Sequence, residues 1–252
     1  DVYKRQMVKV LSEYILSLGQ EAYIPNFFCK AYRPVLYIPS KEEVKELLQK
    51  MDIRTSHNSE QFRLDRECKI LFLLLFCCGL RLSEGRLLKW EHIDLDKGIL
   101  TVLGSKGNKD RLVYLPQDSL PVLKNYKERQ EMLFPGIDWA FPGKDPHKPV
   151  SCSGVESSFN RHWAMLPVAR TVDKHPTPHC LRHAFVVERF NEWMHQGIDT
   201  NTMLPYLSRY LGHKSPDETY YYYHLVEKAF DTIREKDSVS GKVIPEVIPY
   251  EE

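Results

Sequence analysis

A mostly α-helical chain with one small antiparallel β-sheet (α+β) is the fold class this sequence predicts, on three observations. Several segments repeat apolar residues at helical spacing. One stretch, Ile99 to Leu115, switches to a strand pattern interrupted by a polar, glycine-containing tip. The longest apolar run, Ile70 to Cys78, has nine residues, whereas a membrane-crossing helix needs about 20, so the expectation is a chain that stays in water. With 252 residues, 42% hydrophobic and 27% charged, the chain can bury a sizeable core, which excludes disorder as the default.

Val8 to Leu18 carries Val10, Leu11, Tyr14, Ile15 and Leu18 on one helical stripe and stops at Gly19, with no partner helix of its own. Pro25 to Pro39 passes through three prolines without helical period and reads as a linker. Ser40-Lys41-Glu42-Glu43 is a capping box, in which serine and glutamate satisfy each other's free amides, and it opens a helix through Leu48. The polar stretch Thr55 to Gln61 precedes a buried helix near Arg66 to Cys78 that stops at Gly79, and the next helix begins near Ser83. Ile99 to Leu103, the tip Gly104 to Asp110, and Arg111 to Leu115 form a β-hairpin. Helices follow near Leu120 to Met132, Val155 to Ala164, Pro178 to His195, Thr202 to Leu211 and Leu225 to Lys236, with a Pro- and Gly-rich loop reaching to about Gly154.

Thirty-five Lys and Arg against 34 Asp and Glu give a net charge of +1, so a case for nucleic acid has to be local. Residues 101–215 hold 15 Lys and Arg against 11 Asp and Glu, net +4, and seven of the ten histidines; the remainder sums to −3. The six cysteines form no C-x-x-C pair, and two lie inside the apolar run, which reads as reduced core thiols of a cytoplasmic protein. No segment before Ala22 has the apolar stretch of a secretory signal. The first methionine is Met7, so residues 1–6 are expected to be foreign to the natural chain.

Thr177-Pro178-His179-Cys180-Leu181-Arg182-His183 opens a helix, with Thr177 as cap and Pro178 at the first helical position. His179 and Arg182, three apart, share a face where free amides and the macrodipole favour an anion such as phosphate; a solvated basic first turn fits the same residues. Arg81, directly after Gly79-Leu80, is held by a short turn, and its planar fork matches phosphate oxygens while leaving a pairing with Glu84 open. Lys106 lies in the hairpin tip between Gly104 and Gly107, placed either for close approach to a ligand or simply for solubility. Leu211-Gly212-His213 ends a helix, and Tyr220 to Tyr223 with His224 follow after a polar turn. Four consecutive tyrosines cannot all be buried on one face, so at least one hydroxyl is expected to be available for hydrogen bonding or chemistry.

Taken in register, these residues resemble the tyrosine recombinase (phage integrase) family, Xer-like branch. The resemblance rests on Gly79 to Glu84, the hairpin lysine, His179-x-x-Arg182-His183, Leu211-Gly212-His213 and Tyr222-x-His224, and covers about residues 36–230. It implies a tyrosine recombinase catalytic domain over 36–237, preceded at 1–35 by the remnant and linker of a helical core-binding domain whose N-terminal part is truncated, and followed by a tail at 238–252. Gly85 departs from the pattern, standing where the family usually has an aliphatic residue, and the tyrosine quartet blurs the nucleophile.

The resemblance implies that a tyrosine hydroxyl attacks a phosphodiester of double-stranded DNA. The products are a 3′-phosphotyrosyl link and a 5′-hydroxyl that later attacks in reverse, with neither ATP nor a metal or other cofactor required. Tyr222, nine residues after His213 and two before His224, is the expected nucleophile. Negative charge grows on the non-bridging oxygens, where Arg81 and Arg182 fit as a clamp and His213 as a third donor. A tyrosine pKa of about 10 leaves roughly 0.1% ionised at neutral pH, a cost of about 4 kcal/mol without help; His179 is the expected proton acceptor. Lys106 is expected to protonate the departing 5′-oxygen, and His183 is read as structural.

The partners implied are duplex DNA and further copies of the chain, monomeric when free and tetrameric in a synapse, with no membrane. Competing classes are a type IB topoisomerase that relaxes one duplex, a DNA-binding regulator on this scaffold that does not cleave, and a helical protein with a metal held by His179 and His183. In the tail, Val243 to Tyr250 is too apolar for a solvated end and its prolines forbid a helix. It is expected to dock as an extended segment, on its own domain or, as the resemblance implies, on a neighbouring protomer.

Overall fold

The structure is a computed structural model that describes residues 2–24, 37–53, 57–105, 109–172, 175–213 and 215–222. The chain divides between residues 36 and 37 into two compact units. In the first, α1 (Val2–Ser17) starts earlier than its apolar stripe suggests, and Val10, Leu11, Tyr14 and Leu18 of that stripe are exposed.

The second unit is mostly helical with a three-stranded antiparallel sheet, as the sequence predicts. α2 (Lys41–Lys50) opens on the expected capping box, in which Ser40 Oγ accepts from the Glu43 amide and Glu43 accepts from the Ser40 amide. α3 (Ser59–Cys78) begins seven residues before the predicted helix, inside the stretch taken as a polar separator, because Asn58 Oδ1 caps the amides of Glu60 and Gln61. Its apolar C-terminal half is the spine of the core. Leu71, Phe72, Leu74 and Leu75 are fully buried, with Phe72 edge-on to Phe159 of α6 (Cys152–Trp163) and Phe159 stacked on Trp163. The short α4 (Leu82–Arg86) lies backbone-close on α3: a Cβ at Gly85 would stand 2.7 Å from Leu71 Cδ1 and 3.2 Å from Leu75 Cδ2. That close approach is the physical sense of the glycine at this position.

The sheet runs β1 (Ile93–Asp94), β2 (Ile99–Ser105), β3 (Lys109–Tyr114), with Leu100 opposite Val113 and Val102 opposite Arg111. β1 adds a strand to the expected hairpin; two residues are too few to show a period-two pattern. The tip residues 106–108 lie outside the described residues, and with them the expected general acid Lys106. α5 (Leu120–Leu133), α6, α7 (Cys180–His195) and α8 (Thr200–Leu211) match their expected helices closely, and α9 (Asp217–Tyr220) turns the expected polar loop into one helical turn. α7 corrects the sequence expectation at its start. Its N-cap is His179, without a side-chain cap bond, and Thr177 takes part through its carbonyl, which accepts from the Cys180 amide at 2.8 Å. The turn Thr177-Pro178 therefore precedes the helix instead of forming its first residues. The expected helix at 225–236 and the tail lie outside the described residues.

Two apolar clusters result. One gathers α2, α3, α5, α6 and the sheet; the other joins Phe185, Val186 and Phe190 of α7 with Leu204, Leu207 and Leu211 of α8 and Tyr222. α7 packs on α3, and Phe185 of the second cluster lies against Gly79 at the C-terminal end of α3.

Candidate active site

The site is assembled where two helices end. α3 stops at Gly79 (φ 62°) and α8 at Gly212 (φ 67°), both left-handed, so the last carbonyls of each helix turn away from their own chain. At Gly79 a Cβ would also stand 2.5 Å from the Phe185 ring. Arg182, only 2% exposed, fills the gap between these ends: Nη1 donates to Gly79 O at 2.7 Å and Nη2 to Leu211 O at 2.8 Å. Arg81 Nη2 donates to Gly212 O at 2.8 Å. The two arginines of the expected clamp are thus fixed by orphan helix-end carbonyls from opposite sides of the chain.

A carboxylate binds them together. Glu84, its side chain 6% exposed, accepts from Arg81 Nη1 at 2.8 Å and from the Arg81 amide, takes a bidentate pair from Arg111 at 2.9 and 2.7 Å, and lies 3.8 Å from Arg182 Nη1. The pairing of Arg81 with Glu84 left open by the sequence is therefore present. Burial raises the Glu84 pKa, but the Arg111 and Arg81 bonds outweigh it and hold the carboxyl well below the usual range. Three guanidiniums around one carboxylate give these four groups a net charge of +2. Burial, then Arg81, brings the Arg182 pKa down to about 10, which still leaves it charged at neutral pH.

Three histidines and a tyrosine complete the group. His213 accepts from Arg182 Nη2 on Nε2 at 3.1 Å, so Nδ1 carries the proton and donates to Thr219 Oγ1 at 2.7 Å. Nε2 of His213 is thus an acceptor toward Arg182, whereas the donor role expected from the sequence is toward a phosphate. Burial first, then Arg182 and Arg81, push its pKa to about 3. His179 stands open to solvent yet crowded by protein, and that crowding, followed by the Arg182 and Arg81 charges, lowers its pKa. Tyr222 is 5% exposed, its ring stacked with that of His213 at 6.5 Å, and its hydroxyl lies 2.6 Å from Nδ1 of His183. The expected proton acceptor, His179, instead packs edge-on against His183, ring centres 4.7 Å apart.

Of the residues expected from the sequence, Arg81, His179, Arg182, His213 and Tyr222 come together, while Lys106 lies outside the described residues. Sequence reasoning missed Arg111, Thr219 and the contact of His183 with Tyr222. Arg111 shares a strand face with buried Val113, while Leu112 and Tyr114 are exposed, so a charge stands at an inward position that the apolar alternation of the strand alone does not mark. Among the described residues no group of three or more His, Cys, Asp or Glu is placed to hold a metal ion, and no helix is long and apolar enough to cross a membrane.

Comparison with known proteins adds an independent line. Residues 40–229 match the model of the phage integrase family. The chain is 33% identical over 191 residues to the tyrosine recombinase XerA of Pyrococcus furiosus, covering 75% of this chain and 57% of that protein. It is 28% identical over 220 residues to the tyrosine recombinase XerC of Alcanivorax borkumensis, covering 86% of this chain and 66% of that protein. The chain thus spans between half and two-thirds of these relatives. Among solved structures, it superposes on XerA recombinase with a TM-score of 0.59 at 20% identity, over 95% of this chain and 76% of that one. On XerH site-specific recombinase bound to a palindromic difH substrate after cleavage, the TM-score is 0.65 at 22% identity, over 90% of this chain and 61% of that one.

Proposed function

The chain belongs to the phage integrase family, and from that premise we propose that it is a site-specific recombinase that cleaves and rejoins duplex DNA through a 3′-phosphotyrosyl intermediate. The observation that carries the reading is the net +2 of Arg81, Arg111, Arg182 and Glu84, built beside a buried tyrosine. Such a site favours an anion, and favours more strongly one that gains charge, as a phosphodiester does on passing through a pentacovalent state.

In this reading Arg81 and Arg182 stabilise the non-bridging oxygens, and Arg111 acts through Glu84 by fixing Arg81. Tyr222 Oη forms the bond to phosphorus as the P–O5′ bond breaks. The tyrosine proton leaves toward His179, and Lys106 protonates the 5′-oxygen. Burial first, and then the arginine charges, hold the His213 pKa down; a phosphate beside it opposes the second of these, and a proton taken up on Nε2 makes that nitrogen a donor. The partners are duplex DNA and further copies of the chain assembled as a tetrameric synapse, in the cytoplasm. Residues 36–237 act as the catalytic domain and 1–35 as the end of a core-binding domain.

The test is covalent trapping on a pool of nicked duplexes randomised around the nick. Denaturing electrophoresis should show protein linked to a DNA 3′-end, and sequencing the trapped DNA should return a preferred site. A duplex with a 5′-bridging sulfur should restore cleavage to Lys106→Ala and not to Arg81→Ala. Trapping without sequence preference, together with relaxation of supercoils by the monomer, would favour a topoisomerase. Binding without trapping would remove cleavage altogether.

A further inference from the structure

His183 plays no part in the motif roles assigned above, yet it makes the contact that reaches the reacting atom. We propose that His183 is a positioning residue for the nucleophile, accepting the Tyr222 hydroxyl on Nδ1 and thereby fixing the phenol beside the guanidinium group. The proposal rests on the recombinase reading and adds a residue to its machinery.

The hydroxyl lies 2.6 Å from Nδ1, both side chains are buried, and the ring centres are 5.3 Å apart. His183 follows Arg182 on α7, so the helical turn that seats a guanidinium on the ends of α3 and α8 also sets the partner of Tyr222. The tyrosine ring is held from a second side by His213, parallel to it within 4°. The other described tyrosines of the quartet are placed differently: Tyr220 is exposed and reaches Asn201 at 3.4 Å, and Tyr221 packs edge-on to Tyr222.

The surroundings keep both partners neutral. Burial first, then the facing His179, Arg182 and His213, hold the His183 pKa at about 3, so its ring is neutral. Burial raises the Tyr222 pKa to about 12 despite Arg182, so the phenol keeps its proton. Between two neutral groups the direction depends on the His183 tautomer; in the proposed one, with the ring proton on Nε2, the O–H donates and Nδ1 accepts. In this state the hydroxyl is aimed but not ionised. A neutral acceptor can orient it without drawing the arginines into an ion pair with a phenolate.

Two measurements test this. In the intact chain labelled with ¹⁵N-histidine, the His183 signals, assigned by their loss in His183→Asn, should show an unprotonated Nδ1 at neutral pH. That resonance should move downfield in Tyr222→Phe as the accepted bond is lost; an Nδ1 signal indifferent to Tyr222→Phe overturns the proposal without altering His183 or needing activity. In single-turnover cleavage at saturating DNA, His183→Leu should slow adduct formation about 100-fold, as for a misaimed nucleophile, with unchanged half-saturating DNA. His183→Asn, whose amide oxygen can stand near Nδ1, should recover most of that loss. Equal rates in both variants, whether fast or slow, overturn the positioning role even where the wild type cleaves normally. A wild type that forms no adduct removes the recombinase reading instead, and the NMR result then decides the His183 contact alone.

Discussion

The α3-centred cluster and the α7–α8 cluster bury ionisable groups in opposite ways. In the first, each buried carboxylate has an arginine of its own. Asp65 accepts from Arg161 at 2.6 Å, Ser158 at 2.8 Å and Gln61 at 3.2 Å, and Glu67 accepts from Arg63 at 2.7 Å. In the second, the buried groups are Arg182, His183 and Tyr222, with His213 half-buried beside them, and the nearby carboxylate, Glu84, is shared by three guanidiniums. The first region has balanced charge and can serve as scaffold. The second carries surplus positive charge and neutral proton-bearing groups, an arrangement that is costly to maintain unless an anion completes it.

Removing a large buried side chain from each region separates stability from chemistry. Trp163→Ala should cost about 4 kcal/mol by cavity formation, measured by urea unfolding, and leave the cleavage rate of the folded fraction unchanged. Arg182→Ala should also destabilise, by about 3 kcal/mol, since it orphans Gly79 O and Leu211 O, but in addition it should lower the cleavage rate on the order of 1000-fold. Equal catalytic losses in the two variants would erase the distinction between scaffold and site.

Glu84→Gln probes the charge surplus. It should destabilise by about 3 kcal/mol in free protein, because the negative charge shared by three guanidiniums is removed, while added DNA recovers more stability than in the wild type. No gain in DNA-linked stabilisation would count against the anion-completed site.

The pH dependence of stability should carry opposite slopes from the two regions. Burial outweighs Arg63 at Glu67 and raises its pKa from 4.5 to about 7, so the unfolded chain releases this proton first and stability falls as pH rises from 4.5 to 7. His183 and His213 are lowered from 6.5 to about 3, so the unfolded chain takes up protons that the folded chain refuses, and stability falls as pH drops from 6.5 toward 3. Glu67→Gln should remove the first slope and His183→Asn part of the second, read from unfolding midpoints across that range. A smaller effect, about 1 kcal/mol, is expected for Thr219→Val, which deprives His213 Nδ1 of its acceptor.

The legibility of the sequence divides along the same line. Helix ends marked by local chemistry were readable, as the Ser40 box and the stops at Gly79 and Gly212 show, whereas the starts of α3 at Asn58 and of α7 at His179 were not. Arg81, Arg182 and His213 were readable because each sits beside a turn or helix end that its neighbours in sequence announce. Arg111 and Thr219 were not, since their partners Glu84 and His213 are reached through tertiary packing. His183 looked like one more residue of a buried helix, and only the return of the chain at Tyr222, 39 residues later, gives it a partner.

The central claim is that Tyr222 is the tyrosine that attacks DNA from this site. It is tested most directly by mass-spectrometric mapping of the peptide that carries the 3′-phosphate after trapping on a nicked duplex. The account predicts the nucleotide on Tyr222, with no adduct from Tyr222→Phe although that variant still binds DNA. A phosphate on Tyr220, Tyr221 or Tyr223, or an adduct that persists in Tyr222→Phe, would contradict it.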